Sequence, residues 1–252
     1  MVKVIMHGCN GHMGQTITHL IEADDEIEIV AGIDQYDGIK NSYPLFHSID
    51  DCNVKADALI DFASPLATDS LLAYCVKWNL PAVLCTTGLS ENQLASVKEA
   101  SKKVAILKSA NMSLGINMLF KLLKEAASTL SPAGFDIEIV EKHHNQKLDA
   151  PSGTALALAD EINEACGNEF EYVYDRSQVR EKRSKKEIGI SAVRGGTIVG
   201  DHDVIFAGDD EVITFSHRAY SKAVFGKGAI EAAKFLKGKP AGYYDMRDVI
   251  GE

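Results

Sequence analysis

The stretch VKVIMHGCNGHMG, residues 2–14, joins an apolar run to glycines at positions 8, 11 and 14. Glycines placed directly after a strand and leading into a helix allow a tight turn and let a pyrophosphate approach the helix N-terminus. The spacing GxxGxxG differs from the commoner GxGxxG, and the loop alone is a weak signal. The stretch predicts the first β-strand, glycine loop and helix of a Rossmann-type dinucleotide-binding domain.

Asp34 strengthens this prediction because it ends the second predicted strand, about twenty residues further on, where a carboxylate can accept hydrogen bonds from a ribose diol. The alternative is that the glycines only turn the chain and Asp34 only solvates a strand end. No cation follows Asp34 directly, since the next residues are Gln35, Tyr36 and Asp37. A 2′-phosphate normally needs such a cation, so the sequence favours NADH over NADPH. Lys40, six residues after Asp34, could reverse that preference.

The first 110 residues alternate apolar runs with helical patterns, which is typical of βαβ units and a parallel sheet. Predicted strands cover residues 2–6, 27–33, 56–62, 81–87 and 104–110. We expect an α/β fold with the Rossmann-type domain formed by residues 1–112 and 222–252. The last helix, roughly Ala223 to Lys237, would pack back on that domain.

The pattern changes after Gly115 and predicts an α+β domain with a mixed sheet, residues 113–221. It contains a helix through INMLFKLLKEAASTL, a strand through FDIEIVEKH, a helix opening at Pro151 and strand-like runs from Ile188 to Ala219. The charged run from Arg176 to Lys186 is weakly patterned, and we expect a mobile loop or an exposed ribbon there.

Charge, apolar runs and cysteine spacing argue against several classes of protein. The 252 residues carry 36 acidic and 26 basic side chains, a net charge of −10, which argues against nucleic acid or an anionic membrane as a partner. No apolar run approaches the roughly 20 residues of a membrane span, and the N-terminus lacks signal-peptide features, so we expect a cytoplasmic protein. The five cysteines are scattered without a CxxC pair and are expected to be free thiols.

The segment EKHHNQKLDAPSGTA, residues 141–155, concentrates polar groups that fit a site better than a core. A histidine can donate a proton near neutral pH, and a lysine suits a carboxylate. The helix that opens at Pro151 offers backbone N–H groups and the hydroxyls of Ser152 and Thr154 to an anion. These residues predict a carboxylate clamp. Ser152 and Thr154 could instead only cap the helix, and metal binding is a rival that lacks accompanying carboxylate or thiolate ligands.

The chain resembles the 4-hydroxy-tetrahydrodipicolinate reductase family almost from end to end. The resemblance rests on GCNGHMG, ALIDFASP, CTTG, SANMSLGIN, EIVEKHHNQKLDAPSGTA, VRGGTIVGDHDVIF and YYDMRDVIG, in that order. The segment HHxxKxDAPSGTA is highly specific. The resemblance implies an NAD(P)H-binding domain and a middle domain that binds a dicarboxylate substrate and joins copies of the chain in a homotetramer.

The resemblance also implies roles for individual residues. His143 and Lys147 match the family's catalytic histidine and proton-donating lysine, and the substrate carboxylates would be bound by His144, Lys147, Ser152, Gly153 and Thr154. Cofactor contacts are expected from Gly8, Asn10, Gly11, His12, Met13, Asp34, Phe62, Thr86, Thr87, Gly88, Ala110, Asn111, Met112, Arg218 and Phe225. His12 departs from the family pattern, which commonly has arginine or lysine there.

The implied reaction is the NAD(P)H-dependent reduction of 4-hydroxy-tetrahydrodipicolinate, via dihydrodipicolinate, to tetrahydrodipicolinate in diaminopimelate and lysine biosynthesis. His143 or Lys147 would protonate the enamine that hydride addition leaves. One alternative is a related dehydrogenase acting on aspartate or another amino acid, which would share the glycine loop but is not expected to carry HHxxKxDAPSGTA. Another is a non-catalytic NADH-binding sensor, which would need no proton donor.

Overall fold

The computed structural model describes residues 1–178 and 180–251. Val179, in the charged run, and Glu252, the last residue of the predicted first domain, lie outside the described residues. The chain divides into two compact units, a first unit of Met1–Leu114 with Ala223–Glu252 and a middle unit of Gly115–Lys222. The domain boundaries predicted from the sequence, after residues 112 and 221, fall two residues and one residue earlier.

The first unit is built on a seven-stranded parallel sheet. Its strands are β1 (Val2–His7), β2 (Ile27–Ile33), β3 (Leu45–Phe46), β4 (Ala58–Asp61), β5 (Ala82–Leu84), β6 (Ala105–Leu107) and β12 (Gly242–Tyr244), in the order β12-β6-β5-β4-β1-β2-β3. The five predicted strands are present, and the last three are shorter than predicted. β3 and β12 are too short for a periodic pattern to indicate them.

Helices cover both faces of this sheet. They are α1 (His12–Ile21), α2 (Thr68–Trp78), α3 (Glu91–Ser101), α6 (Ala223–Leu236) and α7 (Met246–Ile250). Val4 and Met6 pack with the helices α1 and α6, whereas Ile5 packs with α2 and α3, because successive strand residues face opposite sides. Buried apolar runs of this kind are typical of a doubly wound parallel sheet.

The middle unit has a five-stranded mixed sheet. Its elements are α4 (Leu114–Leu130), β7 (Asp136–His143), α5 (Gly153–Ala165), β8 (Glu171–Tyr174), β9 (Glu187–Arg194), β10 (Gly200–Ala207) and β11 (Val212–Ala219), with strand order β11-β10-β7-β9-β8. β9 runs parallel to β7 and β8, while β10 is antiparallel to β7 and β11. The α/β fold with a second, mixed sheet is therefore confirmed.

Residues of β7 alternate between the two faces of the mixed sheet. Ile137 and Ile139 are buried in a core shared with α4 and α5, and Glu141 and His143 continue the same face towards the end of the strand. We call this the inner face, and the opposite side, which carries Glu138, the outer face. The inner face is therefore apolar at one end and polar at the other.

The charged run, expected to be a mobile loop or an exposed ribbon, is mostly exposed but is held to the sheet by two of its arginines. Arg183 is only 17% exposed, and its guanidinium lies 3.1 Å from Asp136 and 2.9 Å from Glu138. Arg176 pairs with Glu187 at the start of β9. Arg176 and Arg183 therefore neutralise acidic side chains of β7 and β9, a pairing that local patterning does not indicate.

Candidate active site

The glycine loop has a backbone that admits no side chain at two of its positions. Gly8 has φ +79°, in the left-handed region that favours glycine. A Cβ at Gly14 would lie 2.1 Å from the carbonyl oxygen of Gly8. Gly11 caps α1 without a side-chain hydrogen bond, and the first N–H groups of a helix have no intrahelical partner. The loop can therefore present backbone donors to a phosphate.

Asp34 braces this loop from the end of β2. Its carboxylate accepts hydrogen bonds from the backbone N–H of Asn10 at 2.9 Å and of Tyr36 at 3.0 Å. A carboxylate has further lone pairs with which it can still accept from a ribose hydroxyl. Asp34 thus both orders the loop and faces a groove of about 370 Å³, which we call the nucleotide groove; its lining includes His7, Gly8, Gly11, Asp34, Phe62 and Ala63.

Cys9 lies inside the glycine loop but is fully buried. Burial, with the negative charge of Asp34, raises the pKa of its thiol to about 11. The nucleophilic form of cysteine is the thiolate. Cys9 is therefore an unreactive thiol near neutral pH.

A buried polar network lies at the carboxyl ends of adjacent strands. Asp61, which ends β4, contacts Nδ1 of His7 at 2.8 Å and accepts a hydrogen bond from the Thr86 hydroxyl at 2.6 Å. Nζ of Lys108 lies 3.5 Å from the carbonyl oxygen of Thr86, and burial lowers the pKa of this lysine. Because Thr86 gives its proton to Asp61, its hydroxyl oxygen is left as an acceptor for a ligand.

The other residues predicted for the cofactor are spread over the first unit. Asn10 is buried, and its side chain contacts Asn41 at 2.8 Å. His12 is exposed at the start of α1, and Gly88 is exposed with φ +75°. The rest are placed as follows: Met13 half-buried, Thr87 and Ala110 exposed, Asn111 half-buried, Met112 buried, and Phe225 packed against the apolar core.

The histidine segment places His143 on the inner face at the end of β7. His143 is 8% exposed, and its Nδ1 lies 2.6 Å from Oε2 of Glu141. The ring of His202, on the neighbouring strand β10, meets the His143 ring edge to face with centroids 5.2 Å apart. We call Glu141, His143, Ser152, Arg194 and His202 the histidine site.

Glu141 is fully buried and remains ionised. Burial alone would raise the pKa of its carboxyl, but hydrogen bonds from Arg194, from His143 and from the Ser152 backbone outweigh burial and hold the pKa below its usual value. Arg194 binds the carboxylate with both terminal nitrogens, at 2.8 and 2.7 Å. The buried charge is thus paired and hydrogen-bonded, as a buried carboxylate must be.

Ser152 caps the N-terminus of α5 and joins the helix to the histidine site. Its hydroxyl accepts from the backbone N–H of Ala155 at 3.1 Å and contacts Nε2 of His202 at 3.0 Å. Gly153 is exposed and Thr154 half-buried at the start of the helix. Ser152 therefore caps the helix, as the structural alternative requires, while the helix N-terminus remains next to His202.

Lys147 lies in the loop between β7 and α5. Its Nζ contacts Oδ1 of Asp149 at 2.9 Å, and its backbone N–H bonds to the carbonyl of His144. The hydrogen bond from Lys147 lowers the pKa of Asp149. A substrate carboxylate would compete with Asp149 for the ammonium group. His144 and Lys147 are both half-buried, so either is accessible to a ligand.

Arg218 and His143 lie on opposite faces of the mixed sheet. Arg218 stands on the outer face and pairs with Asp201 at 2.9 Å, whereas His143 lies on the inner face. The guanidinium of Arg218 is already paired with Asp201, and its contact with the cofactor stays a prediction.

Residues that the sequence reasoning missed complete both groups. Glu141 could have been found, because a residue two positions before His143 on a strand shares its face. His7, Asp61, Arg194 and His202 give no local signal, since their partners are distant in the chain. Within residues 1–178 and 180–251, no group of three or more His, Cys, Asp and Glu side chains is arranged to hold a metal ion. No helix in the described part of the chain is long and apolar enough to cross a membrane.

Acid should destabilise the protein through His202. Burial and the nearby His143 lower the pKa of His202 from 6.5 to about 4. Between these pH values the unfolded chain binds a proton that the folded chain does not, so the free energy of unfolding falls as pH falls, by up to about 3 kcal/mol. Urea unfolding at a series of pH values should show this loss reduced in His202→Gln. The exposed His47 serves as the control, since His47→Gln should keep the full loss; equal losses in all three proteins would contradict the prediction.

Two family models together match nearly the whole chain. The family models "Dihydrodipicolinate reductase, N-terminus" and "Dihydrodipicolinate reductase, C-terminus" match residues 2–112 and 115–250. The 4-hydroxy-tetrahydrodipicolinate reductase of Caldanaerobacter subterraneus subsp. tengcongensis is 53% identical, covering 99% of this chain and 98% of its own length. That of Clostridium tetani is 51% identical, covering 98% and 96%.

A solved structure is similar over nearly the whole chain. The dipicolinate-bound dihydrodipicolinate reductase from Paenisporosarcina sp. TG-14 has a TM-score of 0.84 at 25% identity, with 99% of each chain covered. The matches span both units and include the glycine loop and the histidine segment. The chain belongs to the dihydrodipicolinate reductase family.

Proposed function

We propose that the protein reduces 4-hydroxy-tetrahydrodipicolinate to tetrahydrodipicolinate with NAD(P)H, in diaminopimelate and lysine biosynthesis in the cytoplasm. The observation that carries the proposal is the family match over both units together with the site at the end of β7. The relatives bear the name of this reductase, which favours it over an amino-acid dehydrogenase or a sensor.

The middle unit has groups suited to a dicarboxylate. The protein carries a net charge of −10, so an anionic substrate needs a local cation. We assign that role to Lys147, together with His144 and the N-terminus of α5 at Ser152, Gly153 and Thr154. The dipicolinate bound to the Paenisporosarcina enzyme is likewise a small dicarboxylate. When a substrate carboxylate displaces the Asp149 carboxylate from Lys147, the ammonium group would remain paired with an anion.

The proposed chemistry needs one hydride and one proton. Loss of the 4-hydroxyl group as water gives a conjugated dihydropyridine, and the reduced nicotinamide supplies the hydride to a ring carbon. The enamine that remains takes up a proton from His143 or Lys147, and the products are tetrahydrodipicolinate and NAD(P)⁺. His143 has its Nδ1 bound to Glu141, so its Nε2 is the nitrogen available for proton transfer.

The first unit supplies the groups for the cofactor. We assign Gly8, Gly11 and the start of α1 to the pyrophosphate and Asp34 to the adenosine ribose. Phe62 and Thr86, just after the ends of β4 and β5, would lie nearer the nicotinamide. A 2′-phosphate of NADPH would meet the carboxylate of Asp34 and no cation on Gln35, Tyr36 or Asp37, so NADH is the proposed preference.

Initial rates with the two cofactors test this proposal. Substrate is generated in the cuvette from pyruvate and aspartate semialdehyde by the matching synthase, and we expect NADH oxidation roughly 10-fold faster than NADPH oxidation. Asp34→Ser should narrow the ratio, because it removes the repulsion of the 2′-phosphate. Cofactor oxidation that does not depend on the synthase would contradict the proposed reductase activity. A faster rate with NADPH than with NADH would contradict the role of Asp34 in cofactor preference.

We further propose a homotetramer assembled through the middle unit. The helices α4 and α5 cover the inner face of the mixed sheet, while the outer face carries half-buried Val140 and Ile205 and exposed Val193. β11 is an edge strand of eight residues, and an edge of this kind offers unpaired backbone groups to another chain. A monomeric mass in sedimentation would contradict the assembly.

A further inference from the structure

The carboxylate of Glu141 accepts four hydrogen bonds, two at each oxygen. Oε2 accepts from Nδ1 of His143 at 2.6 Å and from Arg194 at 2.8 Å. Oε1 accepts from Arg194 at 2.7 Å and from the backbone N–H of Ser152 at 3.0 Å. An ionised carboxylate has about four acceptor sites, so its capacity is filled. No acceptor site is left for a substrate, and Glu141 is fully buried.

The first consequence of this arrangement concerns the proton on His143. A carboxylate can only accept, so Nδ1 of His143 must be the donor to Glu141 and Nε2 is directed away from it. A Cβ at Gly200 would lie 3.0 Å from Nε2, so glycine at that position keeps space beside the nitrogen. Glu141 therefore determines that Nε2 is the nitrogen of His143 left for proton transfer.

The second consequence concerns the substrate-binding segment. Ser152 caps α5, and its backbone N–H donates to Glu141, while Arg194 donates to the carbonyl of Asp149 at 2.6 Å. Glu141 and Arg194 therefore hold the second half of the loop that carries Lys147, from Asp149 to Ser152. One buried ion pair thus connects His143 to the residues assigned to the substrate carboxylate.

We propose that Glu141, held by Arg194, is the positioning residue that orients His143 for protonation of the reduced intermediate. This inference rests on the proposed function. A buried ion pair usually contributes no more stability than apolar residues of the same volume, so stability alone does not account for an ionised pair here. Orientation of an imidazole by a carboxylate on its second nitrogen does account for it.

Glu141→Gln gives a sharp test because glutamine cannot reproduce four accepted hydrogen bonds. Its amide nitrogen must face either His143 and Arg194, or Arg194 and Ser152, and in both cases donor meets donor. We expect kcat to fall roughly 10- to 100-fold, a part of what general acid catalysis contributes. We also expect the solvent deuterium isotope effect on kcat to rise and the effect of 4-deuterated NADH to shrink, because protonation becomes slower than hydride transfer.

A purely structural defect would give a different result. It would lower the fraction of active enzyme and leave both isotope effects unchanged. Glu138→Gln is the matched control, since Glu138 lies on the outer face of the same strand and pairs with Arg183 at 2.9 Å. It should retain kcat and both isotope effects.

A second variant covers the case in which Glu141→Gln does not fold. Glu141→Gln combined with Arg194→Met removes both charges, so no unpaired buried cation remains. It should show the same loss of kcat and the same isotope effects. Wild-type kcat within about threefold, or unchanged isotope effects, in the folded variants would overturn the positioning role. A wild-type protein without synthase-dependent NAD(P)H oxidation would instead contradict the proposed function.

Discussion

Lys147→Ala is expected to lower kcat by roughly 10²- to 10⁴-fold if the lysine donates the proton, and to raise the KM for the dicarboxylate in either case. The increase in KM follows because the ammonium is the cation that we assign to a substrate carboxylate. His143→Ala should also lower kcat strongly, with a smaller change in KM. Steady-state rates with synthase-generated substrate measure both parameters.

Lys142 provides the matched lysine for this experiment. It belongs to the same strand, β7, but lies on the outer face and pairs with Asp203 at 2.6 Å. Lys142→Ala should therefore leave kcat and KM near the wild-type values. If His143→Ala and Lys147→Ala both kept near-normal turnover with intact cofactor binding, the assignment of these residues would be wrong.

Gly14→Ala is expected to weaken NADH binding roughly 100-fold, a loss of about 2.7 kcal/mol. The added methyl group would lie 2.1 Å from the carbonyl of Gly8 and 2.6 Å from that of Cys9, so the loop backbone has to move. Movement of the loop displaces the N–H groups that we assign to the pyrophosphate. Calorimetric titration of the variant with NADH measures the change in Kd.

Gly195→Ala is the control for this substitution. Gly195 is in the middle unit, and nothing lies within 4 Å of a Cβ built there. We expect its Kd for NADH to match that of the wild type. Gly14→Ala with an unchanged Kd would contradict the assignment of the glycine loop to the cofactor.

Much of the fold followed from local patterns. The apolar runs of β1 and β2 and the glycines after β1 predict a parallel sheet with a glycine loop, because buried parallel strands read as continuous apolar segments. Alternation in FDIEIVEKH likewise predicts β7 with Ile137 and Ile139 on one face. The short strands β3 and β12 were not predictable, since pairing with neighbours, not their own pattern, makes them strands.

The candidate site was predictable where the residues adjoin in the chain. His143, Lys147 and Ser152 fall within one segment, so their residue types and spacing indicate the chemistry directly. Arg194 and His202 lie outside this segment, and strand pairing brings them to the site. Arg194 stands opposite His143 in the register of β7 with β9, and His202 stands opposite Glu141 in the register of β7 with β10.

The sequence by itself determined the Rossmann-type start of the chain, the mixed α+β character of its middle part and the segment that holds the histidines and the lysine. Each of these depends on the periodicity or the chemistry of neighbouring residues. Only the tertiary structure decided that the buried Glu141 binds His143, Arg194 and Ser152 together, and that Asp61 joins His7 to Thr86. Hydrogen bonds between distant segments form only once the strands are in register. Burial of an unpaired polar group costs free energy, so the folded state favours the register in which each buried group has a partner.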